Sequence, residues 1–256
     1  MDAVRCNTLW IGPRLGPVER ACLRSVRRQN HPVSLYCYGR PDGVPEDIDL
    51  CDAREILPQS SIIRHQTGSV ALFANWFRYE LQRREKGIWL DTDIYLLAPL
   101  PCDRPYLFGW QEPDSIATAV LRLPPDSPLL PPLLSLFDER DIPDWLAPDE
   151  RLAARLRRRL TGRTGLSRMP WGSAGPQALT ALAKRHKLVD QAMDSSLLYP
   201  VPGRDSRWLL DPARPLDSVI TPATITIHLW NELIKKFKDG PAPEGSFLHR
   251  LQQEGA

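Results

Sequence analysis

Two carboxylates, Asp91 and Asp93, stand one residue apart inside the otherwise apolar run Gly87-Ile88-Trp89-Leu90-Asp91-Thr92-Asp93-Ile94-Tyr95-Leu96-Leu97. A carboxylate taken into apolar surroundings is costly unless it neutralises or meets a cation. If the run is extended, alternation sends Asp91 and Asp93 to one side and Thr92 to the other. Two hard oxygen donors on one side suit Mg2+ or Mn2+ carrying a diphosphate. Asp-x-Asp alone is short and common, and its plain alternative is a pair of exposed turn carboxylates. The preceding Gly87 and the apolar residues on both sides favour the metal reading.

The surrounding sequence must place this pair. Upstream, residues 69–84 carry Val70, Leu72, Phe73, Trp76, Phe77 and Leu81 at helical spacing, with Arg78, Glu80, Arg83 and Arg84 off that face. Lys86-Gly87 ends this helix, which then feeds directly into a strand. The strand's end, or the turn after it, carries the acids, which is where open α/β sheets bind ligands. Earlier, 7–12 reads as a strand, 18–29 as an amphipathic helix and 32–38 as a second strand, an opening β-α-β unit with a parallel sheet. Residues 44–62 are less regular, and 52–57 fits a short strand or a short helix equally. Strands are expected over 106–110, 116–121 and 224–230, and an edge strand or extended segment over 197–202. Between 124 and 148 the prolines allow at most about three helical turns near 129–140. Helices follow over 152–160 and 177–187, and the tail reads as loop plus a short terminal helix.

Composition sets broad limits. The 256 residues are enough for one substantial core, and the charged (25%) and hydrophobic (42%) shares are those of an ordinary globular chain. A net charge of +2 is too small to imply a nucleic-acid partner. The five cysteines form no Cys-x-x-Cys pair, which argues against a disulfide framework and against zinc. Residues 1–7 lack a basic-then-apolar signal pattern, and no apolar run approaches the ~20 residues of a bilayer span. The expectation is a soluble cytoplasmic protein, peripheral at the inner face of a membrane at most.

Phe73-Ala74-Asn75-Trp76-Phe77-Arg78-Tyr79-Glu80-Leu81 followed by Lys86-Gly87-Ile88-Trp89-Leu90-Asp91-Thr92-Asp93 resembles the DxD-containing sugar-binding region of GT-A glycosyltransferases. The likeness is greatest to family 32, which includes yeast mannosyltransferases and the α-1,4-galactosyl- and α-1,4-N-acetylglucosaminyltransferases. Clostridial glucosylating toxins share the pattern more distantly. Three further landmarks fall in the family's order: Leu9-Trp10-Ile11-Gly12 as first strand, Gly175-Pro176 as the Gly-Pro loop, and Ile227-His228-Leu229-Trp230 as the late His motif. This chain departs from the pattern with Ala74-Asn75 where Ser-Asp is usual, and with Lys86 for the first Gly of a pair.

The resemblance implies a single GT-A domain over 1–256, a Rossmann-like, mostly parallel α/β sheet flanked by helices. The nucleotide-sugar part would span roughly 1–122 and the acceptor part 123–256. It implies a retaining hexosyltransferase that moves a sugar from a UDP- or GDP-sugar to a saccharide or glycolipid, in bacterial surface-polysaccharide or glycolipid assembly. Asp93 is then the direct ligand of Mn2+ or Mg2+, Asp91 serves metal or ribose, and His228 completes the set as neutral imidazole. The plain alternative for His228 is a packed strand-end histidine. Arg78 pairs with diphosphate or with a carboxylate, a structural bridge to Asp91 being the plain alternative. Trp10 and Ile11 face the base or pack in the core. Asn75 and Thr92 contact the donor, Asn75 otherwise occupying an ordinary solvent-facing helix position. Gly175 and Pro176 shape the donor loop. Trp171 and Trp230 wall the acceptor site, or are simply buried. If the enzyme inverts instead, Glu112 or Asp114 is the candidate base.

Two other classes compete. One is a non-catalytic nucleotide-sugar or carbohydrate binder, suggested by Asn75. The other is a metal-dependent phosphohydrolase, disfavoured because no second acid cluster supplies a two-metal site. Arg151, Arg155, Arg157, Arg158, Arg159, Arg163 and Arg168 form a basic stretch that reads first as a solvated helix face and second as a dock for anionic lipid. A nucleic-acid role has little support.

Overall fold

The computed structural model describes residues 3–256. Met1 and Asp2, part of the stretch without a signal pattern, lie outside the described residues. In chain order the regular elements are β1 (Cys6–Trp10), α1 (Pro17–Arg28), β2 (Val33–Cys37), β3 (Asp49–Asp52), α2 (Ala71–Arg83), β4 (Ile88–Leu90), β5 (Ile94–Leu96), β6 (Trp110–Glu112), β7 (Ser115–Ile116), β8 (Val120–Leu121), α3 (Leu130–Ser135), α4 (Pro148–Thr161), α5 (Pro176–Arg185), α6 (Ser195–Leu198), β9 (Thr226–His228), α7 (Asn231–Ile234) and α8 (Phe247–Glu254).

The main sheet has five strands in the order β3-β2-β1-β4-β8. β1 runs parallel to β2 and β4, β2 runs parallel to β3, and only β8 is antiparallel. This is a mixed α/β architecture compatible with a Rossmann-like fold. Every residue of β2 is buried, as expected for a parallel strand covered on both faces. Side-chain alternation divides the core accordingly. Leu9, Tyr36 and Trp89 pack with Phe73, Phe77 and Leu81 of α2 on one face. Val33, Leu35, Ile88 and Leu90 pack with Leu23 and Val26 of α1 on the other. Pro17 opens α1 at a position that needs no N–H partner. After β3 the chain crosses back through α2 to place β4 on the far side of β1. The order therefore reverses between β1 and β4, the switch point at which such sheets open a crevice beyond their carboxyl ends. The side chain of buried Asn7 seals this junction, donating to the Lys86 carbonyl at 2.8 Å and the Ile88 carbonyl at 3.3 Å.

Several local expectations change. The acidic run is not one strand: β4 stops at Leu90, Asp91-Thr92-Asp93 turns, and β5 leaves the main sheet to pair with β9. A bond from the Ile94 N–H to the Asp91 carbonyl, 3.1 Å, closes the turn. The strand expected over 116–121 breaks into β7 and β8, because the Thr118 and Ala119 carbonyls turn away to accept from Arg78 and from the Asp91 N–H. The 106–110 strand is reduced to isolated bridges at Leu107 and Gly109, with β6 starting at Trp110. The segment read as extended over 197–202 begins instead as α6, because Asp194 caps it by accepting from the Ser196 N–H at 2.8 Å. Residues 52–57 supply the end of β3 and a 3-10 turn over Ala53–Glu55. No helix among the described residues is long and apolar enough to cross a membrane.

Candidate metal and ligand site

β4 delivers Asp91 at its carboxyl end, and the turn delivers Asp93 three residues beyond Leu90. β9 delivers the third member. Its antiparallel register sets His228 opposite Ile94, immediately after Asp93. The Leu229 N–H donates to the Asp93 carbonyl at 3.0 Å, which fixes the two backbones together. As a result one ligand atom each from Asp91, Asp93 and His228 lies within 4.8 Å of the others. The His228 Nε2 stands 3.3 Å from an Asp93 carboxylate oxygen. That same oxygen accepts from the Asn231 N–H at 2.7 Å.

The two carboxyls have different surroundings. Asp91 accepts from the Trp89 Nε1 at 2.8 Å and pairs with Arg78 at 2.9 Å. Burial pushes its carboxyl above the ordinary value, and the adjacent Asp93 charge adds to this, while Arg78 pulls the other way. Burial opposes the Asp93 charge too, but the His228 imidazole and the Asn231 N–H outweigh it and hold this carboxyl below the ordinary value. Two neighbouring acids that cannot both ionise cheaply, facing an imidazole nitrogen, favour a cation. The O, O, N donor set could hold a divalent metal ion. The His228 Nδ1 and Asn231 Oδ1 are buried without a hydrogen-bond partner among the described residues, so the local polar network is incomplete as it stands.

Arg78 is fully engaged on this wall. Its side chain is 4% exposed and its centre lies 4.8 Å from the Trp89 ring. It donates from Nε to the Ala74 carbonyl at 3.2 Å and from Nη1 to the Thr118 carbonyl. Thus the off-face arginine of the helix pattern is an interior residue, and its carboxylate partner is Asp91.

The acids open into a cleft of about 750 Å³, within the range that holds small ligands. Trp10, Ile11, Asn75, Arg78, Asp91, Thr92, Asp93, Pro176, His228 and Trp230 all line it. Asn75 is buried rather than solvent-facing. Gly175 stands behind it: a Cβ there would come within 2.9 Å of the Asn75 amide nitrogen. Trp10 presents a buried Nε1 with no partner among the described residues. Trp171, half exposed, forms part of the rim and meets the edge of His65. Trp230 lies with its ring centre 4.1 Å from that of His228 and donates to the Val201 carbonyl at 2.9 Å. Its backbone is left-handed (φ 55°), a strained conformation for an aromatic residue that turns the chain from β9 into α7. Glu112 reaches the cleft but is paired with Arg204 at 2.8 Å, and Asp114 is not on the wall.

Sequence reasoning passed over several lining residues: Ser69, Gln111, Ser115, Gln177, Arg204, Asn231 and Glu232. Asn231 carries the one available signal, as a polar residue just past the His228 strand. Ser69 and Glu232 join across the cleft at 3.0 Å, a pairing separated by most of the chain that no local pattern announces. Against protein-family models the chain finds no match, and no curated protein matches it.

Proposed function

We propose that the protein is a metal-dependent glycosyltransferase of GT-A type that moves a sugar from a UDP- or GDP-sugar to a saccharide or glycolipid hydroxyl. The observation that carries the reading is the convergence of Asp91 and Asp93, just beyond the carboxyl end of β4 at the switch point, with His228 of β9, inside a cleft of nucleotide-sugar size. The resemblance of residues 73–93 to the DxD region supports it independently.

In this reading Asp93 and His228 hold Mn2+ or Mg2+, and Asp91 shares the ion or accepts a ribose hydroxyl. The bound ion supplies Lewis-acid neutralisation of the charge that grows on a departing nucleoside diphosphate. The protein's own part is positioning. Arg78, itself fixed by the Ala74 and Thr118 carbonyls, holds one Asp91 oxygen in place. Trp10, on the cleft wall, offers a ring face to the base. Asn75, backed by Gly175, offers an amide to sugar hydroxyls. Trp171 and Trp230 provide aromatic faces against which sugar C–H groups pack. Retention at the anomeric carbon, which the resemblance implies, needs no conventional protein base at the acceptor. That suits a cleft in which Glu112 is occupied by Arg204.

A test measures nucleoside diphosphate release from a panel of UDP- and GDP-sugars with Mn2+, with and without saccharide acceptors. Asp93→Asn is expected to lower metal-dependent donor binding and turnover by at least about 100-fold, more than loss of an outer-shell partner. Full activity in Asp93→Asn would remove the central claim. Metal-dependent donor binding without transfer or slow donor hydrolysis points to a binder, and release of inorganic phosphate points to a phosphohydrolase.

A further inference from the structure

α4 carries an apolar ridge that the protein itself leaves uncovered. Leu152, Leu156 and Leu160, four residues apart, are 64%, 58% and 75% exposed. Residues at this spacing stack on one helix face. The opposite face is anchored by Ala154, the fully buried residue of the helix. Leucines this exposed are the reverse of what a solvated basic face requires, and together they form a continuous patch rather than scattered single residues.

Arginines border the ridge. Arg155 and Arg159 alternate with the leucines along one flank, and both are exposed, as is Arg158. Among the described residues none of these three pairs with a carboxylate within salt-bridge distance. The helix's own acids, Asp149 and Glu150, sit in its first turn, and Glu150 is spent on the Ala147 N–H at 3.0 Å. The ridge therefore lies in a field of uncompensated positive charge.

We propose that α4 docks in the plane of an anionic lipid bilayer, its leucines entering the headgroup–acyl boundary and its arginines pairing with lipid phosphates. A short helix with apolar residues on one side and basic residues beside them has the chemistry of interfacial binding, and arginine side chains reach outward from such a ridge to the headgroups. Charge selects among the possible occupants. A second copy of this helix would bring unpaired arginines against unpaired arginines. A nucleic acid would satisfy the arginines and leave three leucines against a polar backbone. An anionic membrane satisfies both. The inference stands on α4 alone and holds whichever ligand the cleft takes.

The test is flotation of the full chain with vesicles of phosphatidylcholine alone and of phosphatidylcholine with phosphatidylglycerol. Binding to the anionic vesicles, weakened by salt and absent on the neutral ones, is the expected result. The triple change Leu152→Ser, Leu156→Ser and Leu160→Ser should lower that binding at least about tenfold. The double change Arg155→Gln and Arg159→Gln should lower it by roughly tenfold and flatten its salt dependence. Because all five positions are exposed, thermal unfolding of both variants should match the parent and confirm that the fold is kept. Equal binding to neutral and anionic vesicles, or unchanged binding by the leucine variant, would overturn the proposal. So would a dimer that the leucine substitutions dissociate in a protein that ignores vesicles.

Discussion

Arg78 shows how one residue serves stability and site geometry together. It is buried, stacked on Trp89, and directs separate donors at Asp91, Ala74 and Thr118. The planar fork of a guanidinium reaches these diverging acceptors, and an ammonium cannot. Arg78→Lys therefore leaves at least one carbonyl unpartnered and should lower stability. Arg78→Met removes the cation and strands the Asp91 charge, and breaking such a buried pair costs about 3 kcal/mol. Denaturant unfolding checks this order: Met worst, Lys intermediate, parent best. A Lys variant as stable as the parent would mean that the fork geometry is not used. The Met variant has a second signature. Without the cation, the largest pull against burial and Asp93 is gone, so the Asp91 carboxyl should titrate still higher, as carboxyl carbon resonances would show.

At the scale of elements, the C-terminal helix α8 braces the ribbon that carries the site. Glu254 accepts from Tyr95 of β5 at 2.8 Å, from Arg28 of α1 at 3.0 Å and from Arg250 at 2.8 Å. Burial would raise its carboxyl, but the bonds from Arg250, Tyr95 and Arg28 win and hold it below the ordinary value of 4.5. A depressed carboxyl contributes stability that is complete above its unfolded value and is lost as pH falls through the folded one. Glu254→Gln should cost roughly 1 kcal/mol near neutrality, since the network is partly exposed and screened. Its stability should also decline less than the parent's on acidification below 4.5. Urea midpoints measured down that pH range would decide the matter, and parallel curves would assign Glu254 no electrostatic role. How much of this was legible in the chain depends on sequence separation. Helix periods and the β-α-β opening are local, so β1, α1, β2 and α2 could be read from spacing. The Asp91–Asp93 turn could be located but not shaped, since its geometry depends on β8 drawing Asp91 and on β9 capturing Asp93. The placement of α8 on α1 rests on apolar packing and an Arg28–Glu254 pair between residues more than two hundred positions apart, which no local pattern encodes. Proline at 200 and 202 suggested an extended segment, but the Asp194 cap just upstream set a helix first.

Across the whole molecule, the candidate site joins distant halves of the chain. Asp91 and Asp93 come from the centre of the sheet's switch point, whereas His228 arrives on β9, which joins no strand of the main sheet and pairs with β5. A cation held by all three would stitch the β5-β9 ribbon to the core sheet, and with it the α7 segment that closes one side of the cleft. Any ligand that binds only the folded arrangement stabilises it by mass action, by about 2.7 kcal/mol at a hundredfold excess over its dissociation constant. For a chain of this size each kcal/mol raises the melting temperature by about 2–4 °C. Saturating Mn2+ should therefore raise the melting temperature by roughly 5–10 °C, with the parent unfolding in one transition that moves as a unit. Both Asp93→Asn and His228→Ala should abolish the shift, because either change removes a corner of the three-ligand set. A shift that survives Asp93→Asn but not removal of surface acids would place the ion elsewhere. If His228→Ala keeps the full shift, the histidine is a packing residue against Trp230 and Tyr199, and the ion is held by the carboxylates alone.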